Sequence, residues 1–152
     1  LGRIATPAVA EEYVMIHMIP LTILPLIIYN IVGYSLSGAD PWANELFGIT
    51  MISGVRWSMT IGDLLVSFAI LLLYFELMKA ARSSHNTITN HVLSTVVLIV
   101  YVVEFIVAGV AAHSVFFILT LIALFDVVAG FSVTIKTATR DIALGHNIDG
   151  AI

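Results

Sequence analysis

Long apolar runs separated by short polar clusters set the rhythm of the chain. A membrane-crossing helix needs about 20 mostly apolar residues to traverse roughly 30 Å of hydrocarbon. Four stretches reach that length: about 14–36 (VMIHMIPLTILPLIIYNIVGYSL), 58–79 around LLVSFAILLLYF, 91–112, and 114–136. The last two meet at His113 and must turn tightly. The pattern predicts an all-α polytopic membrane protein, with residues 1–152 forming a single transmembrane domain of four transmembrane helices in an antiparallel bundle. Between the first two spans, SGADPWANELFG reads as a turn and a short interfacial helix, with Asp40 as N-cap and Pro41 at its first position. Trp42, Phe47 and Trp57 suit the bilayer interface, where a ring can be half apolar and half wet. A re-entrant segment, ELFGITMISGVRW, is the alternative, since Gly48 and Gly54 permit a bend.

Basic residues assign sides. Arg3, Lys79, Arg82, Lys136 and Arg140 fall in the N-terminal arm, the loop between spans two and three, and the tail; Arg56 stands alone on the other side. The positive-inside rule then puts both termini in the cytoplasm, and a bacterial inner membrane is the expected location. The opening LGRIATPAVAEEY lacks the basic, apolar and small-residue order of a signal peptide, so no cleaved leader is expected.

Composition agrees with the spans and removes several function classes. The chain is 60% hydrophobic and 11% charged, with a mean hydropathy of +1.06. A soluble domain carries about 25% charged residues, so this surface would not stay solvated in water. The net charge of −4 includes no basic block, which argues against a nucleic-acid partner. With no cysteine, disulfides, iron–sulfur clusters and thiol chemistry are excluded. The sequence has no repeat of domain-forming length and no low-complexity tract.

Against this background the acids stand out. Counted from a turn at His113, Asp126 lies roughly 19 Å along its helix and Glu104 roughly 13 Å back along the neighbouring one, about one helical turn apart in depth. A carboxylate at mid-membrane costs about 2.5–3.5 kcal/mol on insertion scales, so it needs shelter. Asp126 shares its helix face with Ile122, Ala123, Ala129 and Gly130; Glu104 lies near Tyr101, Ala108 and Ala111. Small residues let another helix approach closely. In span two, the residues between Asp63 and Glu76 span roughly 18 Å of helix, too little for both acids to reach water comfortably. Glu76 is expected to form a solvated pair with Lys79 at the cytoplasmic edge, leaving Asp63 inside the outer leaflet, neutralised by Arg56 or lining an outer vestibule. Pro20 and Pro25 predict a kink in span one, and Asn30 a hydrogen bond to another helix.

No HExxH, catalytic triad or phosphate-binding loop occurs, so a non-enzymatic protein without cofactor is expected. His17 and His91, both near the cytoplasmic ends of their spans, are the one pair that suggests a haem; His85, His113 and His146 read as loop or interface residues. Two functions follow. One is an oligomeric proton or small-cation channel or transporter, with Glu104 and Asp126 at its centre, Asp63 at the outer mouth, and Arg56, Tyr101 and Asn30 in support. The other is an accessory or assembly subunit of a larger membrane complex, its acids serving as interhelical hydrogen-bond contacts. Both invoke a partner surface, a second copy or a larger complex, to cover the small-residue seams.

Overall fold

The computed structural model describes residues 19–36, 40–82 and 87–149. It is mostly helical, with four α-helices among the described residues: α1 (Ile23–Ser35), α2 (Ile61–Arg82), α3 (Thr87–Val107) and α4 (Ser114–Asp149). α4 packs along α2 and α3 and touches α1, which also leans on α2. Two helical stretches, Ile61–Ala81 and Ser114–Ser132, are long and apolar enough to cross a membrane; Ile23–Ser35 and His91–Val107 are apolar but shorter.

Proline and local capping explain why the first helix is short. Residues 19–22 form a bend and turn, and α1 starts only at Ile23. Pro25 therefore falls in the first helical turn, where a missing N–H costs nothing, rather than at a mid-span kink. Of the expected helix over 14–36, the described part begins only at Ile23, after the turn at 19–22; residues 14–18, with His17, lie outside the described set. α3 also stops early. Val107 is its last residue, Ala108 is extended (φ −97°, ψ 121°), and Gly109–Ala111 form a single 3-10 turn. The turn into α4 therefore occupies residues 108–113 rather than His113 alone.

The connection before α2 is the largest departure from expectation. Asp40 does cap Pro41–Ala43, accepting the Trp42 N–H at 3.0 Å, but the result is one 3-10 turn and no interfacial helix. An antiparallel hairpin follows, β1 (Glu45–Thr50) and β2 (Arg56–Thr60), which also replaces the re-entrant alternative. Gly54, at φ +80°, closes its loop, donating to Met51 O at 2.9 Å while Met51 N–H reaches Val55 O. Thr60 then caps α2. Its Oγ1 accepts the Asp63 N–H, and Asp63 Oδ2 accepts the Thr60 N–H at 3.0 Å, a reciprocal cap that starts the helix at Ile61.

The apolar core fills the hairpin-side half of the bundle. Phe116 sits at its centre, edge-on to Tyr29 (ring centroids 4.8 Å) and tilted against Tyr101 (5.5 Å). Trp42 stacks on Tyr29 at 4.4 Å and is buried, so it is a core residue and not an interfacial one. Outward faces carry large apolar side chains, among them Ile31, Leu71, Val103, Ile106 and Phe125.

Candidate functional site: a carboxylate pair at a helix start

Below the aromatic core, the buried polar side chains gather around the start of α1. Thr22, Glu76, His91, Ser94 and Asp126 are all buried, Glu76 at 1% exposure and Asp126 at 3%. The turn at 19–22 creates the need for them. A helix start leaves backbone N–H groups without partners, and its dipole favours negative charge nearby. Here the Leu21 N–H donates to Glu76 Oε2 at 3.1 Å. Thr22 occupies the N-cap position but makes no cap hydrogen bond; its hydroxyl donates instead to Asp126 Oδ2 at 3.3 Å. The exposed carbonyls find donors as well. Tyr101 Oη donates to Thr22 O at 3.0 Å, and Lys79 Nζ to Ile19 O at 3.3 Å.

Three helices thus close around one irregular stretch of backbone. α2 brings Glu76 and Lys79, paired at 2.7 Å. α3 contributes Ser94, which hydrogen-bonds Asp126, and His91. α4 brings Asp126, with Gly130 one turn on, where any Cβ would lie 2.7 Å from the His91 ring. His91 stacks on Phe131, ring centroids 4.9 Å apart. Glu76 and Asp126 are near enough to feel each other's charge, so they form an acidic pair with Lys79 as the adjacent cation.

The sequence-predicted residues are distributed differently. Asp126 is at the centre, as placed, but Glu104 is not its neighbour. Asp126 meets Ser94, and Glu104 lies about 15 Å further along α3. Glu104 is half-buried near Tyr29 and Tyr101, and its Oε1 has no hydrogen-bond partner. The error in depth came from the turn: Glu104 is roughly 5 Å from the true end of α3, whereas Asp126 is about 18 Å into α4. Asp63 is exposed in the α2 cap, and Arg56 pairs with Glu45 on the hairpin instead of with Asp63. Asn30 bonds its own helix, at Leu26 O (3.1 Å), rather than another. Tyr101 takes part through its hydroxyl.

Glu76 is the residue that sequence reasoning missed. Its pair with Lys79 forms as expected, but in the interior instead of at a solvated edge. The crowding of Asp63 and Glu76 was a usable signal that one of them is buried; the Thr60 cap decides that it is Glu76. The seams also find their cover within the chain. Ala111 and Ala123 are buried in the core cluster, and His91 covers Gly130. Asp126 and Glu76 need no second subunit for shelter.

At the hairpin end a second polar group closes the bundle. Tyr29 Oη donates to Val110 O at 2.8 Å, and His113 Nε2 lies 3.3 Å from Asp40 Oδ2. Desolvation, the largest single influence on Asp40, pushes its carboxyl up, but the Trp42 N–H, His113 and the Ala43 N–H together outweigh it and hold the group below its ordinary 3.8. Among the described residues no cluster of three or more His, Asp or Glu side chains is arranged to hold a metal ion.

The described residues define a helical fold with two candidate spans and an acidic pair set against the start of α1. Compared with protein-family models, characterised proteins and solved structures, the chain matches none.

Proposed function

We propose that the chain is a four-span protein of a bacterial inner membrane that carries protons, with Glu76 and Asp126 as its proton-holding pair. The observation that carries this reading is the arrangement of two buried carboxylates, one cation and a helix start inside a single bundle. Ionisable groups inside a membrane are costly and mark ion or proton routes. Helix ends at membrane depth are tolerated where protein or a polar cavity surrounds them, and transporters use such ends to face charge. α1 and the apolar part of α3, His91–Val107, are shorter than a full crossing; the turns at 19–22 and 108–113 supply the remaining length in this reading.

A polar sequence runs the length of the bundle: Lys79, Glu76, Asp126, Thr22, Tyr101, then Glu104. Hydroxyls at Thr22 and Tyr101 sit between the acids, and Glu104 keeps a free acceptor on the far side. The same positive-inside reading places Lys79 toward the cytoplasm and the hairpin outside. A small cation is the other species this set of oxygens suits. The accessory-subunit reading, in which Asp126 fastens the chain to a neighbour, has less support, because Thr22 and Ser94 already engage that carboxylate.

The test is proton flux into liposomes holding the purified protein and a pH-reporting dye. Asp126→Asn keeps an acceptor for Thr22 and Ser94 but cannot exchange a proton, so flux should vanish while size-exclusion behaviour is unchanged. Wild-type-like flux in Asp126→Asn and in Glu76→Gln would sink the proposal.

A further inference from the structure

The hairpin has two chemically different faces. In the register Phe47↔Met59 and Ile49↔Trp57, all four side chains fall on one side; Gly48, Thr50, Arg56 and Ser58 fall on the other. Simple alternation would put Glu45 on the apolar side with Phe47. The irregularity between Glu45 and Phe47 moves it across, opposite Thr60, and lets it pair with Arg56 over Gly48. A Cβ at Gly48 would lie 2.7 Å from Glu45 Oε1 and 2.8 Å from Arg56 Nη2, so the pair closes over a position without a side chain. The bulge thus clears one face of charge.

The cleared face is uncovered. Phe47, Ile49 and Trp57 are exposed, as are Val55 and, completely, Ile52 in the loop. Phe47 and Trp57 meet edge-to-face at 6.0 Å across the strands. A lone two-stranded hairpin is marginal in water, and this one shows its apolar side to the surroundings. Its depth is also bounded. Both strands are edge strands with unpaired backbone groups, which hydrocarbon would not satisfy but headgroups and water do. β2 runs into α2 without a linker, and the first two turns of α2 also expose apolar side chains, Leu64 and Phe68.

We propose that this hairpin is a lipid-binding anchor: its Phe47, Ile49, Trp57 and loop face rests on the outer leaflet, at headgroup level, while Glu45 and Arg56 face water. The inference rests on the membrane-spanning reading of α2 and α4. Tryptophan belongs at that level, half apolar and half wet, and continuity with the lipid-facing side of α2 selects lipid over a second copy of the chain.

Bromolipid quenching tests it with the full-length protein in phosphatidylcholine vesicles. Trp57 emission is isolated by subtracting Trp57→Phe, and Leu71→Trp in the Trp57→Phe background reports the middle of α2. Trp57 should be quenched most by bromines high on the acyl chain, and the Leu71→Trp reporter most by bromines deep in it. Ile52→Asp with Val55→Asp, both at exposed positions, should remove most of the Trp57 quenching and leave the α2 reporter unchanged. Trp57 unquenched by lipid but open to acrylamide, with the α2 reporter still quenched, overturns the anchor and leaves the spans standing. Trp57 shielded from both quenchers means that protein covers the face, and also overturns it. If neither position is quenched, the spanning reading falls and the anchor with it.

Discussion

Replacing Glu76 by leucine tests whether the acidic pair is an interior feature. The change removes the acceptor of the Leu21 N–H at 3.1 Å and the partner of Lys79 at 2.7 Å. Breaking a buried ion pair from one side costs about 3–5 kcal/mol, because the remaining charge is stranded. Lys79 keeps 22% of its side chain in contact with solvent and still donates to Ile19 O, so its share falls at the lower end, about 3 kcal/mol. The unsatisfied Leu21 N–H adds about 1–2 kcal/mol, and the buried leucine returns a similar amount. The net expectation is a loss of about 3 kcal/mol, read as the shift in denaturant midpoint for the purified protein in mild detergent. Glu76→Gln keeps an oxygen for Leu21 and should lose about half as much. Lys79→Met on the Glu76→Leu background removes the stranded charge and should recover roughly 2 kcal/mol, a coupling that a double-mutant cycle isolates. Additive losses, or a Glu76→Leu penalty below about 0.5 kcal/mol as for a surface change, would refute the reasoning.

Four further outcomes are expected. Tyr101→Phe removes the bond to Thr22 O and should cost about 1 kcal/mol in the same unfolding assay, with slower proton flux if the hydroxyl lies on the route. Gly130→Ala should lower stability by about 1 kcal/mol net, since crowding a rigid His91 outweighs the helix-propensity gain; a rise in melting temperature would show that the ring moves freely. Trp42→Ala should cost about 3–5 kcal/mol by opening the stack on Tyr29, whereas Trp57→Ala in detergent should cost far less. Asp40 is held below its ordinary 3.8, so its contribution is complete above that pH and lost as pH falls through the lower folded value. Acid titration of the near-ultraviolet signal should therefore separate wild type from Asp40→Asn above about pH 4 and bring them together only below the lowered folded value.

Long-range apolar patterning was legible in the chain; local breaks were not. The cores of α2 and α4 lie where the apolar runs put them, because a helix of that length and composition has few other ways to bury its backbone. The hairpin was invisible for the opposite reason. ELFGIT and RWSMT are short, and their alternation is cut by a bulge, so the period-two signal never extends over enough residues to compete with a capped helix start at Asp40. That capping signal was real but closed only one turn. The site was half legible. An acid deep in an apolar run marks Asp126 directly, but the depth of Glu104 depended on a turn whose six residues no apolar count reveals. Glu76 was obscured by Lys79 three residues on, a spacing that reads as an exposed pair wherever the helix face is unknown.

The same geometry bears on how protons would reach the acidic pair. On the proposed spanning reading, Asp126, about 18 Å along α4 from the hairpin end, leaves roughly 12 Å of a 30 Å hydrocarbon layer on the other side. The two sides differ in more than distance. Toward the hairpin, the stacked layer of Tyr29, Trp42, Tyr101 and Phe116 is buried, and the polar groups crossing it are Tyr101 and the half-buried Glu104. Toward the other end, Glu76 passes directly to Lys79, whose side chain is partly exposed. Exchange with the Lys79 side should therefore be the fast step, and passage across the aromatic layer the slow one. Tyr101→Phe then slows flux without changing pair occupancy, while Lys79→Met alters occupancy first. Measuring initial flux under imposed pH gradients of both signs in vesicles of known protein orientation separates the two: equal sensitivity of both steps to Tyr101→Phe would contradict an aromatic barrier placed on one side of the acids.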